Sequence, residues 1–309
     1  MRASLLRTAR RALRRRRAGQ ASLECFDAGV LRRGRGGRRG RLPRLGGADP
    51  RTLVFAAVDL ETTGLRPGVD RICEIGVVLF RADGTVLGEY ATLVDPQRPM
   101  AATEIHGITA DQVVGAPTFA QIAPALERLL AGTVVVAHNL TFEDAFLAAE
   151  LRAAGLAVPR RPGLCTLVTA RAQLDGPGFG LGALHRGLTT TSLTAAHTAL
   201  GDSRATAELL TALLAQSPTP LRYRGPRPRT TPPGPALLTL SPCLPRSTPP
   251  QAAEPGDPAD ATPARYRWKD RELTPRWNRP PSAAERPHGA EPHRPAEPAT
   301  GGLDSRHGG

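Results

Sequence analysis

Cysteines and long apolar runs are scarce in this sequence, and each absence excludes a class of protein. Only four of the 309 residues are cysteines, and they stand far apart with no Cys-x-x-Cys pair, which argues against a disulfide framework and a zinc site. No apolar stretch approaches the roughly 20 residues of a membrane-spanning helix, and the N-terminal residues lack the apolar part of a secretory signal. We therefore expect no association with a membrane.

Charge is distributed very unevenly along the chain. Residues 1–51 contain 16 arginines and three acidic residues, residues 52–215 contain 11 basic and 16 acidic residues, and residues 216–309 contain 14 basic and nine acidic residues. Basic segments suit a polyanionic partner such as nucleic acid, although solvated arginine-rich tails would give the same composition. The first segment also resembles a transit peptide in composition; a basic leader or a start codon placed too far upstream explains it equally well.

Composition divides the chain into three parts. Residues 1–51 are rich in Arg and Gly and have few apolar residues to bury, so we expect this leader to be disordered. Residues 216–309 hold 21 of the 31 prolines, a density that helices and sheets do not tolerate, and we expect this basic tail to be disordered as well. Its stretch YRWK, residues 266–269, stacks on nucleic acid bases, docks on a partner, or merely reflects the composition of the tail.

Between the tails, residues 52–215 alternate apolar strands with helices. Strands at 53–59, 71–81 and 85–94, separated by turn residues, predict an antiparallel meander. The elements predicted after the meander are a helix at 118–131 capped by Thr118, a buried strand at 133–137, a helix at 141–155 capped by Thr141, and helices at 165–174, 181–187 and 197–215. This order predicts an α/β domain with a mixed central β-sheet flanked by helices.

Acidic residues stand at the ends of these apolar elements. Asp59 and Glu61 end the first strand two positions apart, so their side chains point to the same face. Neighbouring carboxylates are costly to bury unless a cation neutralises them; the plainer interpretation is a strand that runs out into solvent. His197 and Asp202, five positions apart at the start of the last helix, can also reach one site.

Four motifs, VDLETTGL, TEIHGIT, VVAHNLTFEDAFL and HTALGD, follow one another in this region. Their order and spacing resemble those of the DEDDh 3′→5′ exonucleases, a family that includes the proofreading epsilon subunit of bacterial DNA polymerase III, ribonuclease T and oligoribonuclease. The resemblance covers residues 52–215 and implies a ribonuclease H-like exonuclease fold. It also implies two divalent cations, Mg²⁺ or Mn²⁺, as cofactors.

On the matching positions, the resemblance implies four acidic metal ligands: Asp59, Glu61, Glu143 and Asp202. It also implies that His197 is the general base that deprotonates the attacking water. One position departs from the family pattern, because Glu143 stands where the family has Asp, and Asp144 follows it. Neighbouring helical residues point about 100° apart, so we expect only one of the two to bind. We favour Glu143, because the apolar residues around it keep the family register, and Asp144 is the alternative.

The resemblance also assigns the 3′-terminal nucleotide of the substrate to a set of residues: Thr62, Thr63, Gly64, His106, Asn139 and Phe142. Each assignment has a plainer alternative. His106 would only fix its loop, Asn139 would only satisfy backbone groups after the strand, and Phe142 would belong to the core, as buried aromatic residues usually do.

Together these assignments predict a metal-dependent 3′→5′ exonuclease that removes nucleoside 5′-monophosphates from single-stranded DNA 3′ ends. We expect it to act in replication proofreading or DNA repair in a bacterial cytoplasm, with a replicative DNA polymerase as a candidate partner. An exoribonuclease or oligoribonuclease is the alternative enzyme, because the fold does not determine sugar specificity. A nucleic-acid-binding or polymerase-docking protein with a weakened, non-cleaving site is the alternative of another class.

Overall fold

The computed structural model describes residues 23–33, 47–191, 193, 197–234, 243–246 and 265–269. The strands are β1 (Phe26–Arg33), β2 (Val54–Thr62), β3 (Ile72–Arg81), β4 (Val86–Leu93), β5 (Val134–Ala137), β6 (Arg161–Cys165), β7 (Leu174–Asp175), β8 (Leu221–Arg224) and β9 (Arg267–Trp268). The α-helices are α1 (Thr103–His106), α2 (Phe119–Leu130), α3 (Leu140–Ala153), α4 (Thr166–Gln173), α5 (Leu181–Leu188) and α6 (Ala199–Gln216).

Seven strands form one mixed sheet in the order β4-β3-β2-β5-β6-β1-β8. Strands β2, β3 and β4 form an antiparallel meander, whereas β5, β6 and β1 continue from β2 in parallel. Strand β8 pairs antiparallel with β1. The predicted meander and the predicted α/β class with a mixed central sheet are therefore confirmed.

Strand β2 lies inside the sheet, and its side chains divide the core between two faces. Val58 packs with residues of α2 and α3 on one face, whereas Phe55 and Ala57 pack with residues of α6 on the other. Helices thus flank the sheet on both sides, as predicted. Because side chains alternate along a strand, Asp59 and Glu61 belong to the face that α6 covers.

Segments outside residues 52–215 belong to the same sheet, so the predicted disorder of the two tails is wrong for these segments. Strand β1 lies between β6 and β8, and its Phe26 and Leu31 are buried. Strand β8 buries Leu221 and Tyr223. The predicted boundaries at 52 and 215 are too narrow, because short apolar stretches among the arginines supply strands that complete the core.

The YRWK stretch of the tail packs on the domain. Arg267 and Trp268 form β9, which pairs with β7, and the Tyr266 hydroxyl donates to the carbonyl of Gly178 at 2.7 Å. Both aromatic rings pack against a core cluster built from α4, α5 and α6. None of the three interpretations of this stretch from the sequence included packing on the protein's own domain.

The predictions for residues 1–22, 34–46, 235–242, 247–264 and 270–309 lie outside the described residues. Within the part of the chain that is described, no helix combines the length and the apolar character needed to cross a membrane.

The starts of two helices test the predicted caps. Thr118 precedes α2 and forms a capping box with Gln121, with the Thr118 N–H donating to Gln121 Oε1 at 2.8 Å, as predicted. Helix α3 begins earlier than predicted, because Asn139 occupies the N-cap position and its carbonyl accepts the N–H of Phe142 at 2.7 Å. The predicted cap at Thr141 is therefore wrong, since that residue lies within the helix.

Candidate active site

Three carboxylates meet where β2 ends and α6 begins. Oxygen atoms of Asp59, Glu61 and Asp202 all lie within 4.8 Å of one another. The first two residues come from the last part of β2, and Asp202 lies in the first turn of α6. None of the three side chains is exposed. The structure thus brings together three of the four acids that the sequence suggested as metal ligands, and we call them the acid cluster.

The close approach of α6 to the sheet depends on a glycine. Gly76 pairs with Asp59 across β2 and β3, and a Cβ atom added to Gly76 would lie 2.3 Å from the backbone of Ala199. The hydroxyl of Ser203 also donates to the carbonyl of Gly76 at 2.9 Å. Because only glycine leaves this space, the first turn of α6 lies against β3 and Asp202 reaches the acids of β2.

Glu74 supports the same end of α6, although no sequence motif marked it. The residue pairs with Glu61 across β2 and β3 and is 2% exposed. Its Oε2 accepts the backbone N–H of Ala199 at 3.1 Å, which satisfies one of the free donors at the helix start. Glu74 therefore holds α6 at the acid cluster.

Glu143, on the first turn of α3, is buried without a hydrogen-bond partner for one of its oxygens. The residue is 4% exposed, and its Oε2 contacts no donor among the described residues. Burial raises the pKa of Glu143 to about 8. A buried carboxylate oxygen without a partner costs free energy of folding, so binding a proton or a cation would stabilise Glu143.

Burial and repulsion raise the pKa values of the clustered acids. Burial is the largest cause of the raised pKa of both Asp59 and Glu61, and the charge of Asp202 comes next. The charge of Glu143 also raises the pKa of Asp59, so its carboxylate lies within electrostatic reach of the acid cluster. Acids in this arrangement favour bound cations, and an all-oxygen ligand set suits hard divalent ions.

Asp144, the neighbour of Glu143, binds the backbone of the N-terminal segment. Its Oδ1 accepts the N–H of Cys25 at 2.7 Å and that of Phe26 at 3.0 Å, and its Oδ2 accepts the N–H of Glu24 at 2.8 Å. These bonds explain how an acid that is 3% exposed is buried without a cation. Of the two register alternatives, Asp144 fixes the segment that leads into β1, whereas Glu143 is the one whose charge raises the pKa of Asp59.

His197 lies outside the acid cluster. The residue is exposed, its φ of 63° is in the left-handed region, and it precedes Thr198, whose hydroxyl caps α6 by accepting the N–H of Gly201 at 3.0 Å. The helical spacing that we assumed between His197 and Asp202 is wrong, and the role of His197 at the site of Asp202 stays a prediction. The reason is that α6 begins at Ala199, so helical spacing does not apply to His197.

The turn after β2, predicted to contact substrate, is closed by its own side chains. The hydroxyl of Thr62 donates to the carbonyl of Gly64 at 2.6 Å, and that of Thr63 accepts the N–H of Arg71 at 3.1 Å. A Cβ atom added to Gly64 would lie 2.5 Å from the carboxylate of Asp70. The two hydroxyls therefore shape the turn.

His106 is buried, and both of its ring nitrogens are engaged within its loop. Nδ1 accepts the N–H of Ile108 at 3.0 Å, and Nε2 donates to the carbonyl of Ala101 at 3.2 Å. Burial lowers the pKa of His106, which favours the neutral ring that this pairing requires. These contacts support the loop-fixing alternative for His106.

Asn139 and Phe142 lie at the start of α3, and both are partly buried. The ring of Phe142 packs on Phe146 with 4.8 Å between the ring centroids. Asn139 makes no side-chain cap bond to the helix. Both residues thus belong to the start of the helix and still have part of their surface accessible to solvent.

Comparison with known proteins relates this chain to exonucleases and to subunits of DNA polymerase III. A family model described as exonuclease matches residues 56–210, which is half of the chain. The DNA polymerase III subunit epsilon of Treponema pallidum is 38% identical over 175 residues, covering 53% of this chain and 77% of that protein. The DNA polymerase III subunit epsilon-like protein of Rhodobacter capsulatus is 39% identical over 167 residues, covering 52% and 24%.

Other relatives are much longer than the matching region. The PolC-type DNA polymerase III of Clostridium perfringens is 34% identical over 161 residues, covering 50% of this chain and 11% of that protein. The chain spans between 11% and 27% of the length of several curated relatives that it matches.

Among solved structures, the zinc-bound form of the complex of Escherichia coli exonuclease I with single-stranded DNA is similar to this chain. Its TM-score is 0.47 at 18% identity, covering 54% of this chain and 41% of that one. The family match extends from β2 into α6 and includes Asp59, Glu61, Glu143 and Asp202. The chain therefore belongs to the exonuclease family.

Proposed function

We propose that the protein is a metal-dependent 3′→5′ exonuclease that removes nucleoside 5′-monophosphates from the 3′ ends of single-stranded DNA. The observation that carries this proposal is the acid cluster of Asp59, Glu61 and Asp202. Glu143 adds to it, because its Oε2 is buried without a partner among the described residues and its charge raises the pKa of Asp59. A strand that merely ran out into solvent would not bury these acids against one another.

Two Mg²⁺ or Mn²⁺ ions are the cofactors that we propose for the acid cluster. The residues fit such ions, because every donor is a carboxylate oxygen and because Glu143 Oε2 is buried without a partner among the described residues. We propose four ligands: Asp59, Glu61, Glu143 and Asp202. Bound ions of this kind lower the pKa of a water molecule and neutralise charge on a phosphodiester. Asp144 is not a ligand in this proposal, because the backbone N–H groups of residues 24–26 occupy its oxygens.

The protein's own residues would orient the substrate and accept a proton. We propose that the last nucleotide meets the backbone of the turn at 62–64 and the accessible parts of Asn139 and Phe142, with His106 shaping the loop nearby. His197 is the proposed general base, since an imidazole can accept a proton at cellular pH. In this role the ring would have to lie within hydrogen-bond reach of a water molecule bound at the acid cluster.

We further propose that the protein acts in replication proofreading or DNA repair in the bacterial cytoplasm, together with a replicative DNA polymerase. The support is the similarity to relatives named as DNA polymerase III subunits in several bacteria. RNA is the second polymer to be tested, because the contacts of the sugar 2′-position decide between the two substrates.

The test is hydrolysis of 3′-labelled and 5′-labelled single-stranded DNA and RNA of one sequence, with Mg²⁺, Mn²⁺ or EDTA. We expect stepwise shortening of DNA from the 3′ end, which EDTA abolishes and Glu143→Gln reduces by about 100-fold or more. Asp144→Asn makes the same acid-to-amide change one residue away and should keep the specific activity of the folded protein. Faster cleavage of RNA would change the substrate, and no cleavage with either metal would favour a non-cleaving binding protein.

A further inference from the structure

A short segment of the proline-rich tail, residues 243–246, lies against the end of edge strand β4. The N–H of Leu244 donates to Thr92 Oγ1 at 2.9 Å, and its carbonyl accepts the N–H of Leu93 at 2.8 Å. The thiol of Cys243 donates to the carbonyl of Ala91 at 3.1 Å. The side chain of Leu244 also packs in a small apolar cluster with Leu93. The segment is therefore anchored by both backbone bonds and apolar contact.

This anchor carries Arg246 to the edge of the acid cluster. Its Nη1 lies 3.4 Å from Oε2 of Glu74 and 3.3 Å from the carbonyl oxygen of His197, and its Nη2 donates to the carbonyl of His106. The side chains of Arg246 and Glu74 are 11% and 3% exposed. One guanidinium thus joins three segments that are far apart in the sequence: β3, the end of α1, and the turn before α6.

The charge of Arg246 also acts on the acids around it. Burial raises the pKa of Glu61 and Glu74, and the guanidinium lowers both. A positive charge at this point offsets part of the repulsion among the carboxylates. The fit is close, because a Cβ atom added to Gly107 would lie 3.1 Å from Nη2.

We propose that Arg246 is a positioning residue of the active site, and that residues 243–246 act as a clamp on the turn of His197 and the loop of His106. The inference rests on the proposed function, in which His197 is the general base. Hydrogen bonds from a charged donor are stronger than neutral ones, so the loss of the guanidinium should loosen both segments. The tail then contributes to catalysis itself, beyond any contact with nucleic acid or a polymerase.

The first measurement is amide hydrogen exchange of the full-length protein in residues 103–108 and 197–202. Arg246→Met should speed exchange in both segments by about tenfold or more. Arg229→Met, which removes the same charge from an exposed arginine of the tail, should leave both segments unchanged. Arg246→Lys should also speed exchange, because the single ammonium group of lysine cannot reach three acceptors as the planar guanidinium group of arginine does. Leu244→Ser, which weakens the anchor, should have the same effect.

The second measurement is hydrolysis of 3′-labelled single-stranded DNA by the same variants. For Arg246→Met we expect kcat to fall about tenfold while KM changes less than about threefold, because substrate contacts remain and the turn of the base loosens. Equal exchange in Arg246→Met and Arg229→Met would overturn the clamp, and faster exchange with unchanged kcat would overturn its catalytic role. A wild-type protein that cleaves neither DNA nor RNA would refute the proposed function, while the exchange data would still decide the clamp.

Discussion

Without metal ions, the free energy of unfolding should fall as the pH rises from about 5 to about 8, and Glu143→Gln should remove much of that fall. Burial raises the pKa of Glu143 from its ordinary 4.5 to about 8. Between these values the folded protein keeps a proton that the unfolded chain has released. The unfolded state therefore binds fewer protons, and stability declines with rising pH throughout this range.

The size of the effect follows from the difference between the two pKa values. Each tenfold change in proton affinity corresponds to about 1.4 kcal/mol, so this one carboxyl lowers the free energy of unfolding by about 3 to 4 kcal/mol between pH 5 and pH 8. Asp59 and Glu61, whose pKa values are raised by burial, add to the decline. Glutamine has nearly the same shape without the charge, so Glu143→Gln should be more stable than the wild type at pH 8 in EDTA.

Urea unfolding followed by circular dichroism, in EDTA across this pH range, measures the effect. Glu104→Gln makes the same change on the exposed surface of α1 and should keep the wild-type dependence on pH. Added Mn²⁺ should stabilise the wild type, because an ion that binds only the folded state shifts the equilibrium, and should stabilise Glu143→Gln less. An unchanged pH dependence in Glu143→Gln would refute the argument that this carboxylate is buried without a partner.

Three further substitutions test the frame around the acid cluster. Asp144→Asn should lower the free energy of unfolding by about 2 kcal/mol, measured by urea unfolding, because it weakens the bonds to the backbone N–H groups of residues 24–26; its Mn²⁺ response should persist. Gly76→Ala should lower both Tm and the Mn²⁺ stabilisation, because its Cβ would press on Ala199, and an intact Mn²⁺ response would show that α6 has room to move. Arg71→Met should cost about 3 kcal/mol, because Glu150 accepts two bonds from Arg71 and would remain as a buried charge; a loss below about 1 kcal/mol would contradict this.

The sequence predicted the centre of the sheet better than its far edge. Strands β2, β3 and β5 are apolar runs bounded by turn residues, so their local pattern suffices. Strands β1 and β8 are short apolar stretches among arginines and prolines. Their partners are β6 and each other, and such distant pairing leaves no local pattern in a single sequence. Composition therefore suggested disorder where the folded chain has strands.

Local spacing also determined which site residues could be found. The i, i+2 spacing of Asp59 and Glu61 was sufficient, because a strand fixes their common face. Spacing did not apply to His197, whose backbone lies in the left-handed region before the helix. The roles of Glu143 and Asp144 depend on which segments pack against α3, and the local sequence does not show these segments. In the sequence Arg246 looks like every other arginine of the tail, because its partner His106 lies 140 residues away.

The position of β1 has a consequence for how this protein is produced. The family similarity begins at residue 56, so a protein trimmed to that region would lose a strand from the interior of its sheet. The trimmed protein, which ends at residue 210, would also lose β8, so β6 would become an open edge with unpaired backbone. Asp144 would keep a buried carboxylate without the N–H groups of residues 24–26. Open strand edges pair with other chains. The trimmed protein would therefore aggregate, and its inactivity would be misread as a dead enzyme.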